Sequence, residues 1–265
     1  MNYEKKDCLL KVENVSKKFG DKQVLHDINF EIKDIVRLGV ITGQMVALVG
    51  KSGVGKSTLL NILAGLETPS AGKILQGSDS LPIEPGDMGV VYQNYYLYGW
   101  RKIRKILQFS AMKNPGIKPS EIKDAIDGIA NDFDLSDHLD KYPSQLSGGQ
   151  QQRIAIAEQI LGGSNFLLLD EPFSGLDIIT IDKVMDILVK VSNYDELKTI
   201  IIVSHDLANT IALADTIYVL AKQKGTDGGT IIKEIDLIER GLAWHTNVKG
   251  TPEFAETFKE IKNLL

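Results

Sequence analysis

Gly50-Lys51-Ser52-Gly53-Val54-Gly55-Lys56-Ser57-Thr58 lies between the apolar run Met45 to Val49 and the helix-like stretch Leu59-Leu60-Asn61-Ile62-Leu63. Read in order, that is a strand, a glycine-rich turn and a helix start. The spacing fits G-x-x-x-x-G-K-S, in which the N–H groups of a turn close around phosphate oxygens. Glycine reaches the backbone angles such a cradle needs. The helix that follows aims the positive end of its dipole at the same anion. Lys56 is expected to neutralise the β- and γ-phosphates, and Ser57 to offer a hydroxyl to Mg²⁺. All nine residues are thus candidates for contact with a nucleoside triphosphate. An ordinary glycine turn is the alternative, and the flanking strand and helix argue against it.

The rest of the composition narrows the class. The chain has 265 residues, 43% hydrophobic and 25% charged, which suits a globular protein with a well-buried core. Its net charge of −5 argues against a broad nucleic-acid-binding face. Cys8 is the one cysteine, so no internal disulfide forms and a reducing cytoplasm suits the chain. It reads as a small buried apolar residue of the first strand. The segment Met1 to Asp7 is charged and lacks the apolar stretch of a signal peptide. No apolar run approaches the ~18 residues of a membrane span. The expectation is a soluble chain that reaches a membrane through a partner.

Working outward, Leu10-Val12, Val15 and Ile28-Phe30-Ile32 alternate with polar residues and predict short antiparallel strands around a turn at Gly20-Asp21. Asp34 to Ile41 is extra length, read as a hairpin tip or loop. Pro69 to Gly72 and Gly86-Asp87 read as turns, and Val90-Val91-Tyr92 as a strand ending in Gln93. From Asn94 to Pro143 the pattern is helical: Ile122, Ala125, Ile126, Ile129 and Phe133 share one face. Beyond Leu146, the unbroken strands Phe166 to Leu169, Ile200 to Val203 and Ile217 to Leu220 alternate with helices, the signature of a covered parallel sheet. Thr251 and Pro252 open a final helix with Phe254, Phe258 and Ile261 on one face, expected to pack on the parent domain.

Two further motifs converge on the nucleotide. Leu146-Ser147-Gly148-Gly149-Gln150 opens a helix with exposed N–H groups, a second anion site. A single chain has little use for two such sites on one triphosphate, unless the second serves another subunit. A plain capped helix start is the alternative. Phe166 to Leu169 runs into Asp170 and Glu171, carboxylates at the strand end where such sheets hold ligands. Asp170 is expected on Mg²⁺, and Glu171 as general base toward the attacking water.

LSGGQ following a phosphate loop resembles the signature of the ATP-binding cassette (ABC) family, and in its motifs the chain is most similar to nitrate-, sulfonate- and taurine-type importer ATPases. The resemblance spans about residues 8 to 222. It implies an α/β fold: a P-loop NTPase (RecA-like) core with a mostly parallel sheet, an N-terminal antiparallel β subdomain and an inserted helical subdomain. One ABC domain would then occupy 1–265, with the core in about 1–93 and 146–265 and the helical subdomain in about 94–145. By the same resemblance, Gln93 is the Q-loop glutamine at the Mg²⁺ site and Phe19 the aromatic that stacks on adenine, though Phe19 also fits a core position. Ser174-Gly175-Leu176-Asp177 is similar to the D-loop that meets a partner ATPase. His205 resembles the switch histidine at the γ-phosphate; His26, His138 and His245 read as surface or structural. The chain departs from the family in the Asp34–Ile41 length, in Ala157-Glu158-Gln159-Ile160 for the common Ala-Arg-Ala-Leu, and in lacking an arginine after Asp215.

The resemblance implies an ATP hydrolase that pairs head to tail with a second copy or a paralogue. Lys56, Ser57, Asp170, Glu171, Gln93 and His205 of one chain would face Ser147, Gly148, Gly149, Gln150 and Asp177 of the other across two ATP. Permease subunits in the membrane, docked near Asn94 to Lys105, and a substrate-binding protein would complete an importer. The location implied is cytoplasmic, at the inner face of the membrane, with no nucleic acid. The alternatives are the ATPase of a lipid or drug exporter, or a soluble ABC ATPase outside transport; a P-loop kinase or GTPase fits neither LSGGQ nor the histidine.

Overall fold

The computed structural model describes residues 3–37, 39–40, 42–223, 225–245 and 247–265. Its centre is a parallel set of strands: β3 (Gln44–Val49), β6 (Met88–Val91), β7 (Phe166–Asp170), β8 (Thr199–Ser204) and β9 (Thr216–Lys222). These strands are apolar without a break because both faces are covered. On one face Val46, Leu48, Leu168, Ile201, Val203 and Leu220 pack against α1 (Lys56–Leu63). On the other, Met45, Leu167, Leu169, Ile200 and Ile202 join one core with α4 (Gly148–Leu161), α5 (Ile178–Ser192) and the inserted helices α2 (Ile103–Ala111) and α3 (Ile122–Asp132). A third core sets Ala47, Val49, Ile217 and Val219 against α6 (Leu207–Leu213) and α7 (Pro252–Leu264).

Antiparallel strands extend the same sheet and curl over α1. They are β1 (Tyr3–Phe19), β2 (Lys22–Arg37), β4 (Ala71–Gln76), β5 (Leu81–Pro82) and β10 (Gly229–Asp236). The order across the sheet is β5-β4-β1-β2-β10-β9-β3-β8-β7-β6. The mixed sheet and the α-helical insertion match the fold the sequence implied.

Several expectations change. The N-terminal strands are long rather than short, and Asp34 to Arg37 continues β2 instead of forming a loop: Lys5, Glu4 and Tyr3 pair with Ile35, Val36 and Arg37. Ile35 is buried in that arm, the Arg37 guanidinium stacks 3.8 Å from the Trp244 ring centroid, and Lys5 pairs with Asp236 at 2.7 Å. Leu38 and Ile41, at the end of the extra segment, lie outside the described residues. Ala71 and Gly72 open β4 rather than closing a turn. Cys8 is half-buried, not buried, because the β1–β2 register shifts on both sides of it; burial with Glu31 beside it pushes its thiol up to about 11. α7 packs on the parent domain as expected, with Thr251 Oγ1 accepting from Phe254 N–H and with Phe254 and Ile261 buried.

Candidate functional site

Register brings the chemistry together. Val49 pairs with Ser204, Val203 with Asp170, and Leu169 with Val91. The residues that follow these strands, Gly50, His205, Glu171 and Gln93, therefore leave the sheet at one edge, where parallel sheets hold ligands.

The loop after β3 turns through Gly53 and Gly55, both at positive φ. Gly55 has φ 110, and a Cβ there would meet Leu25 Cδ2 at 2.7 Å, so glycine is required. Lys56 starts α1 and is only 7% exposed; its ammonium donates to Gly50 O at 2.9 Å. A cavity of about 310 Å³ opens here, lined by Lys22, Val24, Gly55, Lys56, Ser57 and Thr58. Lys51, Ser52, Gly53 and Val54 line a second cavity behind the loop, shared with Leu264 at the end of the last helix and with Leu265 beyond it.

At the mouth of the loop, Ser57 Oγ lies 3.4 Å from Asp170 Oδ1. Burial raises the Asp170 carboxyl above its usual range, with Ser57 opposing that shift and the neighbouring Glu171 adding to it. A bound cation would relieve that cost. Glu171 has φ 50, and its amide donates to Val203 O at 2.8 Å. Its Oε2 accepts from His205 Nδ1 at 2.8 Å, from His205 N–H at 3.1 Å and from Ser204 Oγ at 3.2 Å, while Oε1 lies 3.5 Å from Lys56 Nζ. Non-glycine residues at such φ occur where surrounding structure fixes them, often at functional sites. Gln93 donates from Nε2 to Ser174 Oγ at 3.1 Å, which places its amide on the loop between Glu171 and Asp177 rather than on Ser57 or Asp170.

Ser147, Gly148, Gly149, Gln150 and Asp177 form a second group. Ser147 caps α4: its Oγ accepts from Gln150 N–H at 3.3 Å, and Gln150 Oε1 accepts from Ser147 N–H at 2.9 Å. Ser147 and Gly148 are exposed. Asp177 caps α5, accepting from Thr180 N–H at 3.0 Å and Thr180 Oγ1 at 2.7 Å; these two donors hold its carboxyl below the usual range. The caps touch through Gly149, where a Cβ would fall 2.4 Å from Thr180 Cγ2. Among the described residues no hydrogen bond or ion pair joins this group to the phosphate loop. The two groups are separate in the hydrogen-bond network of the described residues.

Phe19 ends β1, half exposed, paired with Lys22 across the hairpin tip and so at the rim of the cavity. His26 and His245 are exposed. His138 is structural: its Nε2 sits 2.9 Å from Gln150 Nε2.

A family model described as ABC transporter matches residues 33–174, just over half the chain, including the phosphate loop, the signature and Asp170-Glu171. The chain belongs to the ABC transporter ATPases. This ATPase is 33% identical over 250 residues to the nitrate import ATP-binding protein of Synechocystis sp., covering 94% of this chain and 90% of that one. It is 38% identical over 225 residues to a sulfate/thiosulfate import ATP-binding protein from the same organism, covering 83% of this chain but 60% of that longer relative. Among solved structures, the ATP-binding cassette MJ0796, a dimer in a post-hydrolysis state bound to ADP and phosphate, superposes with TM-score 0.70 at 27% identity over 86% of this chain and 99% of that one.

Other contacts in the site are not legible from the motifs. Ser204 and Ser174 hold Glu171 and Gln93. Gln152, fully buried in α4, donates to Pro172 O at 2.6 Å and so ties the signature helix to the Glu171 loop. Ser204 and Gln152 each neighbour a motif, but their partners are distant in sequence. Only the fold shows the contact.

Proposed function

We propose that this ABC ATPase is the energy-supplying subunit of an importer, working as a head-to-tail pair in which each ATP lies between the phosphate loop of one copy and Ser147 to Gln150 of the other. The observation that carries this reading is the half-site: Lys56, Ser57, Asp170, Glu171 and His205 converge at one edge, while the signature cap and Asp177 present their open faces elsewhere. In this reading Lys56 binds the terminal phosphates, Glu171 accepts the proton of the attacking water, and His205 orients Glu171 and reads the γ-phosphate. Phe19 takes the adenine.

Ser57 and Asp170 would hold Mg²⁺, whose chemistry is to offset negative charge on the phosphate oxygens. Their hard oxygen donors fit it, and no group of three or more His, Cys, Asp or Glu among the described residues is arranged to hold a metal ion by itself. That suits a cation that keeps waters and arrives on the nucleotide.

No helix among the described residues is long and apolar enough to cross a membrane, so permease subunits would supply the span. Their contact would be the exposed Tyr96, Tyr98, Trp100, Phe109 and Met112, with Lys113 over the Phe109 ring at 4.4 Å. The basic cluster beside it is partly neutralised, as Arg104 pairs with Asp127 at 2.7 Å, so apolar contact rather than charge would dominate docking. Relatives named for nitrate and sulfate/thiosulfate import support oxyanion import; with it go a place at the inner membrane face and a separate substrate-binding protein. Sedimentation of Glu171→Gln with and without ATP tests the pairing: a dimer with ATP is expected, and a monomer in both conditions contradicts it.

A further inference from the structure

Lys17 stands two residues before Phe19 on β1, where the pairing with β2 shifts register. It is a buried lysine, 8% exposed, and its ammonium has three donors to place. One goes to Glu67 and one to Thr68 O at 2.6 Å. Over the remaining direction lies the Phe19 ring, its centroid 4.9 Å from Nζ, within the range of a cation–π contact.

The loop holding Glu67 and Thr68 is itself tied to the phosphate-loop helix. Leu66 and Glu67 N–H both donate to Asn61 O of α1, at 2.9 and 3.1 Å. Ser70 Oγ accepts from Lys18 N–H at 3.0 Å, and Ser70 N–H donates to Ser16 O at 2.8 Å. A continuous set of contacts therefore runs from the Phe19 ring through Lys17 and residues 67–68 into α1, whose first residue is Lys56.

We propose that Lys17 is a positioning residue for the base: it holds Phe19 from behind so that the free face of the ring is presented to an aromatic nucleobase. The proposal rests on Phe19 being the adenine platform. The cation under one face fixes the ring's angle without taking the face that stacks, and a half-exposed phenylalanine at a hairpin tip has no other ring contact among the described residues. An aliphatic residue at 17 would leave the ring free to swing toward solvent, which costs stacking but leaves the phosphate loop as it is.

The test compares binding of ATP and of inorganic tripolyphosphate by calorimetry for Lys17→Met, Lys17→Arg, Phe19→Leu and the double variant Lys17→Met/Phe19→Leu. Lys17→Met should weaken ATP about three- to fivefold, the size of a cation–π contact to a half-exposed ring, and leave tripolyphosphate unchanged. Lys17→Arg should restore ATP affinity. The double variant should bind ATP no more weakly than Phe19→Leu alone. Equal losses for ATP and tripolyphosphate in Lys17→Met would make Lys17 merely structural, and a Lys17→Met loss that persists undiminished in the Phe19→Leu background would overturn its action through the ring. If Phe19→Leu itself leaves ATP binding unchanged, the adenine platform falls, and the proposal with it.

Discussion

Glu171 Oε2 accepts a 2.8 Å hydrogen bond from His205 Nδ1. With the carboxylate as acceptor, the bond places a proton on His205 Nδ1. The same carboxylate reaches toward Lys56 Nζ with its other oxygen, at 3.5 Å. The base therefore sits between the two groups that are proposed to meet the γ-phosphate. Glu171→Gln keeps an acceptor for His205 and removes the charge. Turnover should fall by roughly two to four orders of magnitude, the usual contribution of a general base, with ATP binding retained. Phosphate release and nucleotide binding measured side by side check this; normal hydrolysis would remove Glu171 from the role.

Lys56 has its ammonium buried against Gly50 O, so its charge is delivered where water is scarce. Lys56→Met should weaken ATP roughly ten- to a hundredfold, as expected for hydrogen bonds to a charged group. The loss should be larger for ATP than for AMP, which carries no terminal phosphates. Equal losses for both would show that the substitution collapses the loop instead.

The contact between Gly149 and Thr180 makes a paired prediction. Gly149→Ala forces a Cβ to within 2.4 Å of Thr180 Cγ2, and Thr180 has little freedom to move because its hydroxyl is held by Asp177. Overpacking of this kind costs about 1–3 kcal/mol, and it displaces both caps meant for the second copy. ATPase activity should drop while ATP binding to the single chain persists. Thr180→Ser removes the offending methyl and keeps the hydroxyl, so Gly149→Ala/Thr180→Ser should recover activity. No recovery would separate the defect from this contact.

Much of this was legible in the sequence, and the reason is local. A phosphate loop, a helix cap and a strand-end carboxylate each depend on residues adjacent in the chain, so Gly50 to Thr58, Ser147 to Gln150 and Asp170-Glu171 could be read directly. Unbroken apolar strands such as Ile200 to Val203 likewise announce burial on both faces. What stayed hidden depends on pairing at a distance. Asp34 falls where the alternation of Ile28, Phe30 and Ile32 calls for an apolar residue, so the strand reads as stopping there, and it continues because Tyr3 to Lys5 lies alongside. β4 and β10 are polar and half-exposed, so alternation is weak in both. Gln152 looks like part of a glutamine run until Pro172 is placed beside it.

Asp215 predicts a pH effect unconnected with the nucleotide. Its carboxyl is fully buried: Oδ2 accepts from Met45 N–H at 2.7 Å, and Arg37 and a hydrogen bond from the Trp244 side chain favour the charge but do not outweigh burial. Burial pushes the group up to about 7, against about 3.9 in an unfolded chain. A raised carboxyl adds stability fully below the unfolded value and loses it as pH rises through the folded one. Asp215→Asn keeps the acceptor for Met45 and cannot ionise. Its melting temperature relative to the parent should therefore climb between about pH 4 and 7, by up to about 1.4 kcal/mol of stability per pH unit, then level off. A difference that stays flat across that window would show that Asp215 is ionised throughout.

The central claim is that the site is shared between two copies, and a heterologous cross-link tests it most directly. Two forms of the Glu171→Gln protein are made, one with Ser52→Cys in the phosphate loop and one with Ser147→Cys at the signature cap. They are treated with a short bismaleimide separately and mixed. Each form alone reports any reaction through Cys8. With ATP, a cross-linked dimer joining the two cysteines is expected in the mixture and not in either form alone. A mixture that yields no such product with ATP, while ATP binding is intact, would contradict the shared site.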